Sequence, residues 1–165
     1  MARINKSYNS NQTFLLWLGL SVLVLVIDQL SKILAKNNLI EGISKPVTSF
    51  MNWTLVYNPG AAFSFLSQAG GWQRWFFTGL GITAALVITW LIRKNPLQKL
   101  FCLAMSLILS GAIGNVIDRL AYGAVVDFID VYYLNWHWPA FNIADSAITL
   151  GVILLIFDEI KRVNK

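Results

Sequence analysis

The chain has 165 residues, room for one compact unit, with 56% apolar and only 13% charged residues. Soluble domains average about 25% charged residues, so a soluble globule of this make-up would be left with apolar surface it could not cover, and lipid is the solvent that fits. The net charge of +5 does not mark a nucleic-acid partner, because the basic residues flank apolar runs and form no patch, and a single cysteine, Cys102, excludes an internal disulfide or a cysteine-based metal site.

A helix crosses a bilayer with about 20 mostly apolar residues. Four stretches meet or nearly meet that need. The first is 13–34, interrupted by Asp28 and Lys32; 75–92 and 100–117 carry no charge; 142–160 has Asp145 near its start. Arg3 and Lys6 before an apolar run from Phe14 to Ile27 resemble a signal peptide, but no small-residue cleavage site follows, so this segment is read as an uncleaved first span. Arg3, Lys6, Arg93, Lys94, Lys99, Lys161, Arg162 and Lys165 fall on one side of the four spans, eight of the 13 cations, which makes that side cytoplasmic. Both termini are then cytoplasmic, and loops 35–74 and 118–141 face outward. Those loops hold Trp53, Tyr57, Trp72, Tyr122, Tyr132, Tyr133, Trp136 and Trp138, residues suited to the headgroup layer. Segments 47–57 and 124–134, rich in Val, Phe, Trp, Tyr and Thr, predict strands of a small β-element on the outer membrane surface. No repeat or linker divides the chain, which predicts a single domain.

Charged groups at membrane depth are costly and usually functional. Of eight acidic residues, Asp158 and Glu159 lie at the cytoplasmic end, whereas Asp28, Glu41, Asp118, Asp127, Asp130 and Asp145 gather at or near the outer side. Asp28 and Lys32, four apart, share a helix face and predict an ion pair, with Lys32 reaching toward headgroups. Adjacent Asp118 and Arg119 suggest pairing or interface anchoring at the end of span three. The preceding small residues from Ser110 to Gly114 permit close helix approach, and Asn115 at the membrane edge should hydrogen-bond a partner. Strand alternation sends Asp127 and Asp130 to opposite faces, and Asp130 reads as an ordinary surface aspartate. Asn142 is a candidate N-cap for span four, with Asp145 three residues on in the positive field of the helix N-terminus.

Two carboxylates held close together share a proton; the ionised one can activate water while the protonated one polarises a peptide carbonyl. This chemistry needs no metal and no cofactor. Other protease chemistries fit poorly. H-E-x-x-H and G-x-S-x-G are absent, His137 is the only histidine, and it reads as an interfacial residue between Trp136 and Trp138. Cys102 lies near the opposite end of span three, out of reach of His137.

Five short blocks, in order along nearly the whole chain, carry a resemblance: Asp28-Gln29 with Lys32, Asn58-Pro59-Gly60-Ala61-Ala62-Phe63, Gly111 through Gly114-Asn115 to Asp118-Arg119, Val126-Asp127-Phe128, and Pro139 through Asn142 and Asp145 to Ser146. With them the chain resembles the bacterial lipoprotein signal peptidases, signal peptidase II. The resemblance implies a membrane α-helical fold of four transmembrane helices with a β-cradle on the extracytoplasmic surface, and an aspartyl endopeptidase with the catalytic dyad Asp127 and Asp145. It implies supporting or substrate-binding roles for Asp28, Lys32, Asn58, Gly60, Asn115, Asp118, Arg119 and Asn142. The implied substrate is a prolipoprotein whose cysteine carries diacylglycerol, cut just before that cysteine in the inner (cytoplasmic) membrane. Globomycin-type cyclic peptides are the implied inhibitors, and one chain is expected to hold the whole site as a monomer among membrane lipids. One departure is Ser110, where the family usually has the first glycine of a pair. Rival readings are a small proton-coupled membrane transporter, which would need polar groups along its path, and a membrane assembly factor.

Overall fold

The computed structural model describes residues 2–60 and 70–163, with side chains from residue 10 onward. Four helices and four strands follow in the order α1 (Ala2–Asn38), β1 (Ser44–Thr48), β2 (Met51–Asn58), α2 (Trp72–Lys94), α3 (Lys99–Tyr122), β3 (Val125–Tyr133), β4 (Trp136–His137) and α4 (Ile143–Val163). Ser10–Asn38, Trp72–Lys94 and Lys99–Tyr122 are long and apolar enough to cross a membrane, with mean hydropathy of 2.0, 1.9 and 2.1. α4 is 21 residues long, but Asp145 at one end and Asp158, Glu159, Lys161 and Arg162 at the other make it more charged.

α3 is the hub. Half of its apolar window is buried, against 11% for α1 and 17% for α2. Small residues allow this. A Cβ on Gly111 would collide with the Ala144 carbonyl, and one on Gly151 would lie 2.7 Å from that of Ala104, so α3 and α4 touch backbone to backbone. Ser110 is buried and donates its hydroxyl to Leu107 O at 2.8 Å, so the serine satisfies itself within its own helix. Ile88, Ile92, Cys102, Met105 and Leu109 fill the opposite half of the bundle. The outer faces stay apolar: Leu16, Leu86, Trp90 and Ile153 are each more than half exposed.

The strands form one antiparallel sheet in the order β1-β2-β3-β4. It sits where α1 and α3 end and α4 begins. Gly123, with φ of 80°, stops α3 by bonding its N–H to Arg119 O and turns the chain straight into β3. Segment 124–134 is the strand expected. Segment 47–57 is not one strand: Thr48 Oγ1 accepts the Phe50 N–H, and that hydroxyl turn breaks it into a β1–β2 hairpin. α3 runs to Tyr122, so Asp118 and Arg119 lie within the helix, not past its end.

Candidate active site

β3 brings Asp127 to the sheet edge beside the first turn of α4, which carries Asp145. Asn142 joins them. Its Oδ1 accepts the Asp145 N–H at 2.9 Å, and the Asn142 N–H donates to Asp145 Oδ2 at 3.3 Å, a reciprocal capping box at the start of α4. Its Nδ2 lies 2.7 Å from Asp127 Oδ1 and 3.2 Å from Val126 O. One amide side chain thus starts the helix holding one aspartate and grips the carboxylate of the other. Asp127 Oδ2 accepts from Asn58 Nδ2 at 3.2 Å, and Asp145 Oδ1 from Asn115 Nδ2 at 2.8 Å. Both carboxylates therefore have fixed partners and face one cavity of about 660 Å³.

Burial, then the charge of Asp145, pushes the Asp127 carboxyl up to about 7, against the smaller opposing pull of Asn58, Asn142 and Lys32. A carboxyl there keeps a proton to near neutrality, and that proton belongs to the pair.

Beneath the aspartates lies a buried charge layer. Lys32 Nζ is 2.8 Å from both Asp28 and Asp118 and 3.2 Å from Asn115 Oδ1. Lys32 is 2% exposed, so it does not reach toward headgroups; two carboxylates draw it inward. The Asp28–Lys32 pair exists, and it also does positioning work, because Asp28 Oδ1 accepts the Ala144 N–H at 2.8 Å and tethers the first turn of α4. Asp118 pairs with Lys32 rather than Arg119, since adjacent helical residues point about 100° apart; its Oδ2 also takes the Val126 N–H and so ties down β3. Gln29 completes the layer, donating to Asp28, Asp118 and Gly114 O. Sequence reasoning missed it as a site residue; its place next to Asp28 was the available signal.

Arg119 donates to Gly60 O at 3.1 Å and to Asn115 O at 3.3 Å. The Gly60 N–H bonds Asn58 Oδ1, so the 58–60 turn is pinned at both ends. Ala61, Ala62 and Phe63, the rest of that motif, lie outside the described residues. Asn58, Gly60, Asn115, Arg119, Asp127 and Asp145 line the cavity; Asn142 braces it; Asp28, Lys32 and Asp118 support it from below. The rest of the wall is largely apolar, from 138–141 on one side and Ile148, Leu150 and Ile153 of α4 on the other.

Asp130 is not a surface aspartate. It is 6% exposed and bonded to Asn52 Nδ2 and His137 Nδ1, each at 2.8 Å. Alternation sends it to the face opposite Asp127, where the neighbouring Asn52 and His137 side chains enclose it. Cys102 donates its thiol to Asn95 O near the start of α3, at the other end of the bundle. Among the described residues no group of three or more His, Cys, Asp or Glu could hold a metal ion.

The signal peptidase II family model matches residues 20–161. Relatives named lipoprotein signal peptidase include one from Cupriavidus pinatubonensis, 57% identical over 99% of this chain and 93% of its own length. Another, from Janthinobacterium sp., is 53% identical over the whole of both chains. A bacterial membrane enzyme solved by the in meso method superposes with a TM-score of 0.78 at 36% identity, over 88% of this chain and 87% of that one. The chain belongs to the signal peptidase II family of membrane aspartic peptidases.

Proposed function

We propose that Asp127 and Asp145 are the catalytic pair with which this enzyme cleaves lipoprotein signal peptides. The observation that carries the proposal is the meeting of the buried Asp127 carboxylate and the half-buried Asp145 carboxylate, joined through Asn142, at the wall of one cavity. The pair holds one proton. The ionised carboxylate takes a proton from a water molecule as its oxygen attacks the scissile carbonyl carbon. The protonated partner hydrogen-bonds the carbonyl oxygen and passes its proton to it as negative charge develops there, so the pair keeps only the proton taken from water. The tetrahedral diol collapses, the C–N bond breaks, and the leaving amine takes a proton from the pair. The carboxylates alone supply the acid and the base.

The substrate is a prolipoprotein whose cysteine bears diacylglycerol, and the amine released is that of the lipidated cysteine. An apolar wall along α4 suits acyl chains or an apolar signal segment, while Asn58 and Arg119 at the polar end suit an extended peptide backbone. α4 serves as the fourth span, its charges confined to its ends. Both termini are cytoplasmic and the sheet lies on the outer surface of the inner membrane, with exposed Trp136, Tyr133 and Leu134 at the lipid headgroups. The chain works as a single-domain monomer. A transport route would need polar groups along its length, and the apolar cluster around Ile92 and Met105 speaks against one.

The test is cleavage by purified enzyme in detergent of a prolipoprotein with and without diacylglycerol on its cysteine. The expected result is a product beginning at the lipidated cysteine, formed only from the modified substrate, blocked by globomycin-type peptides and unaffected by chelators. Equal cleavage of both substrates would refute the lipid requirement.

A further inference from the structure

We propose that Asp130 and His137 form a clasp that fixes the 138–141 wall of the cavity and so governs how firmly substrate is held. The proposal rests on the reading of that cavity as the substrate site.

β4 is only two residues long, pairing His137 with Tyr132 and Trp136 with Tyr133. Beyond it the chain runs along β3 to Phe141: Trp138 N–H bonds Val131 O at 2.8 Å, and Phe141 exchanges bonds with Ile129 at 3.0 and 2.9 Å. Trp138, Pro139, Ala140 and Phe141, four consecutive residues, form one wall of the cavity. A strand this short holds weakly by itself. The side-chain anchor at its far end is His137, whose Nδ1 lies 2.8 and 3.0 Å from the two oxygens of Asp130. An Nδ1–H donated to the carboxylate satisfies both groups. The imidazole also stacks on Tyr132 at 5.2 Å and 21°, and Tyr132 bonds back to the β1–β2 hairpin through its N–H and hydroxyl.

Asp130 depends on this contact. Among the described residues it has no lysine or arginine partner, and without His137 its buried carboxylate keeps only the Asn52 amide. A buried charge left short of donors turns its side chain toward water, and the two-residue β4 loses its side-chain tie to β3. The carboxylate pair does not share this dependence. Asn142 has its own bonds to Asp127, Val126 O and Asp145, so loosening 138–141 alters the wall and leaves the reacting groups in place.

The clasp therefore acts on KM and not on kcat. The experiment compares parent, His137→Ala, His137→Phe and His137→Gln on diacylglyceryl-modified prolipoprotein in detergent, with Asp127→Asn as control. Alanine removes the contact from a half-exposed site, phenylalanine keeps the stack without the donor, and glutamine restores an N–H donor. The expected result is a KM raised about tenfold in the Ala and Phe variants, equivalent to about 1.4 kcal/mol, with kcat within about twofold of parent and KM largely restored by Gln. An unchanged KM in the Ala variant, a fall in kcat at constant KM, or a Gln variant as impaired as Ala would each overturn the clasp. An active parent with an inactive Asp127→Asn control shows that the site reading stands, so those results then count against the clasp alone; an active control counts against the site itself.

Discussion

Asn142 is the side chain through which the two aspartates are tied, and replacing it separates its structural work from its chemical work. Asn142→Ala removes an N-cap, which costs about 1 kcal/mol. It also removes a donor 2.7 Å from a buried carboxylate, and hydrogen bonds to charged groups are worth roughly 1.5–3 kcal/mol. The two contacts share one residue and do not simply add, so the expected destabilisation is about 2–4 kcal/mol. Asn142→Ser keeps a capping oxygen but loses the Asp127 donor, and should recover about 1 kcal/mol of stability without recovering activity. Both variants should change the pH profile. The Asn142 bond pulls Asp127 downward, so without it the carboxyl holds its proton to above the present value of about 7, and the alkaline limb of kcat/KM moves up. The assay is the pH dependence of cleavage in detergent, with thermal unfolding of the same samples. A serine variant with parental rate and an unmoved alkaline limb would refute the reasoning.

Lys32→Met should destabilise by about 3–5 kcal/mol, because it leaves Asp28 and Asp118 buried without a counter-charge; parental thermal unfolding would contradict that. Gly114→Ala places a Cβ 2.5 Å from Asp28 Oδ2, so Asp28 must release Ala144 or α1 must shift, at about 1–3 kcal/mol and with loss of activity; a parent-like variant would show slack at this helix contact. Asp127 releases its proton near 3.8 when unfolded and near 7 when folded, so its contribution to stability falls as pH rises through that window and is constant above it. Asp127→Asn abolishes this slope, so its unfolding midpoint relative to parent should be higher at pH 8 than at pH 5; an equal offset at both would show that Asp127 is not raised.

Local pattern made much of this legible before any coordinates. Apolar runs marked α2, α3 and α4 to within a few residues, whereas α1 begins at Ala2, well before its apolar run, and Asn142 announced an N-cap because capping is a local act. Direction was harder. Lys32 on a lipid-facing helix reads as a cation seeking headgroups, and only the arrival of Asp118 from α3, 86 residues later, turns it inward. Asp130 read as exposed because its cover comes from Asn52 and His137 on two other strands. The break of 47–57 into a hairpin depends on one hydroxyl turn at Thr48 inside a run of good strand formers. The grip of Arg119 on Gly60 joins segments 59 residues apart that no spacing rule connects.

The most direct measurement is the single-turnover cleavage rate of Asp127→Asn and Asp145→Asn enzymes, each shown by thermal unfolding to be folded and saturated with diacylglyceryl-modified prolipoprotein. If the two carboxylates share the acid and base work, each variant should lose at least about a thousandfold in rate, within the range that positioned acid–base groups supply. A folded variant of either aspartate that cleaves within about tenfold of parent would contradict the account.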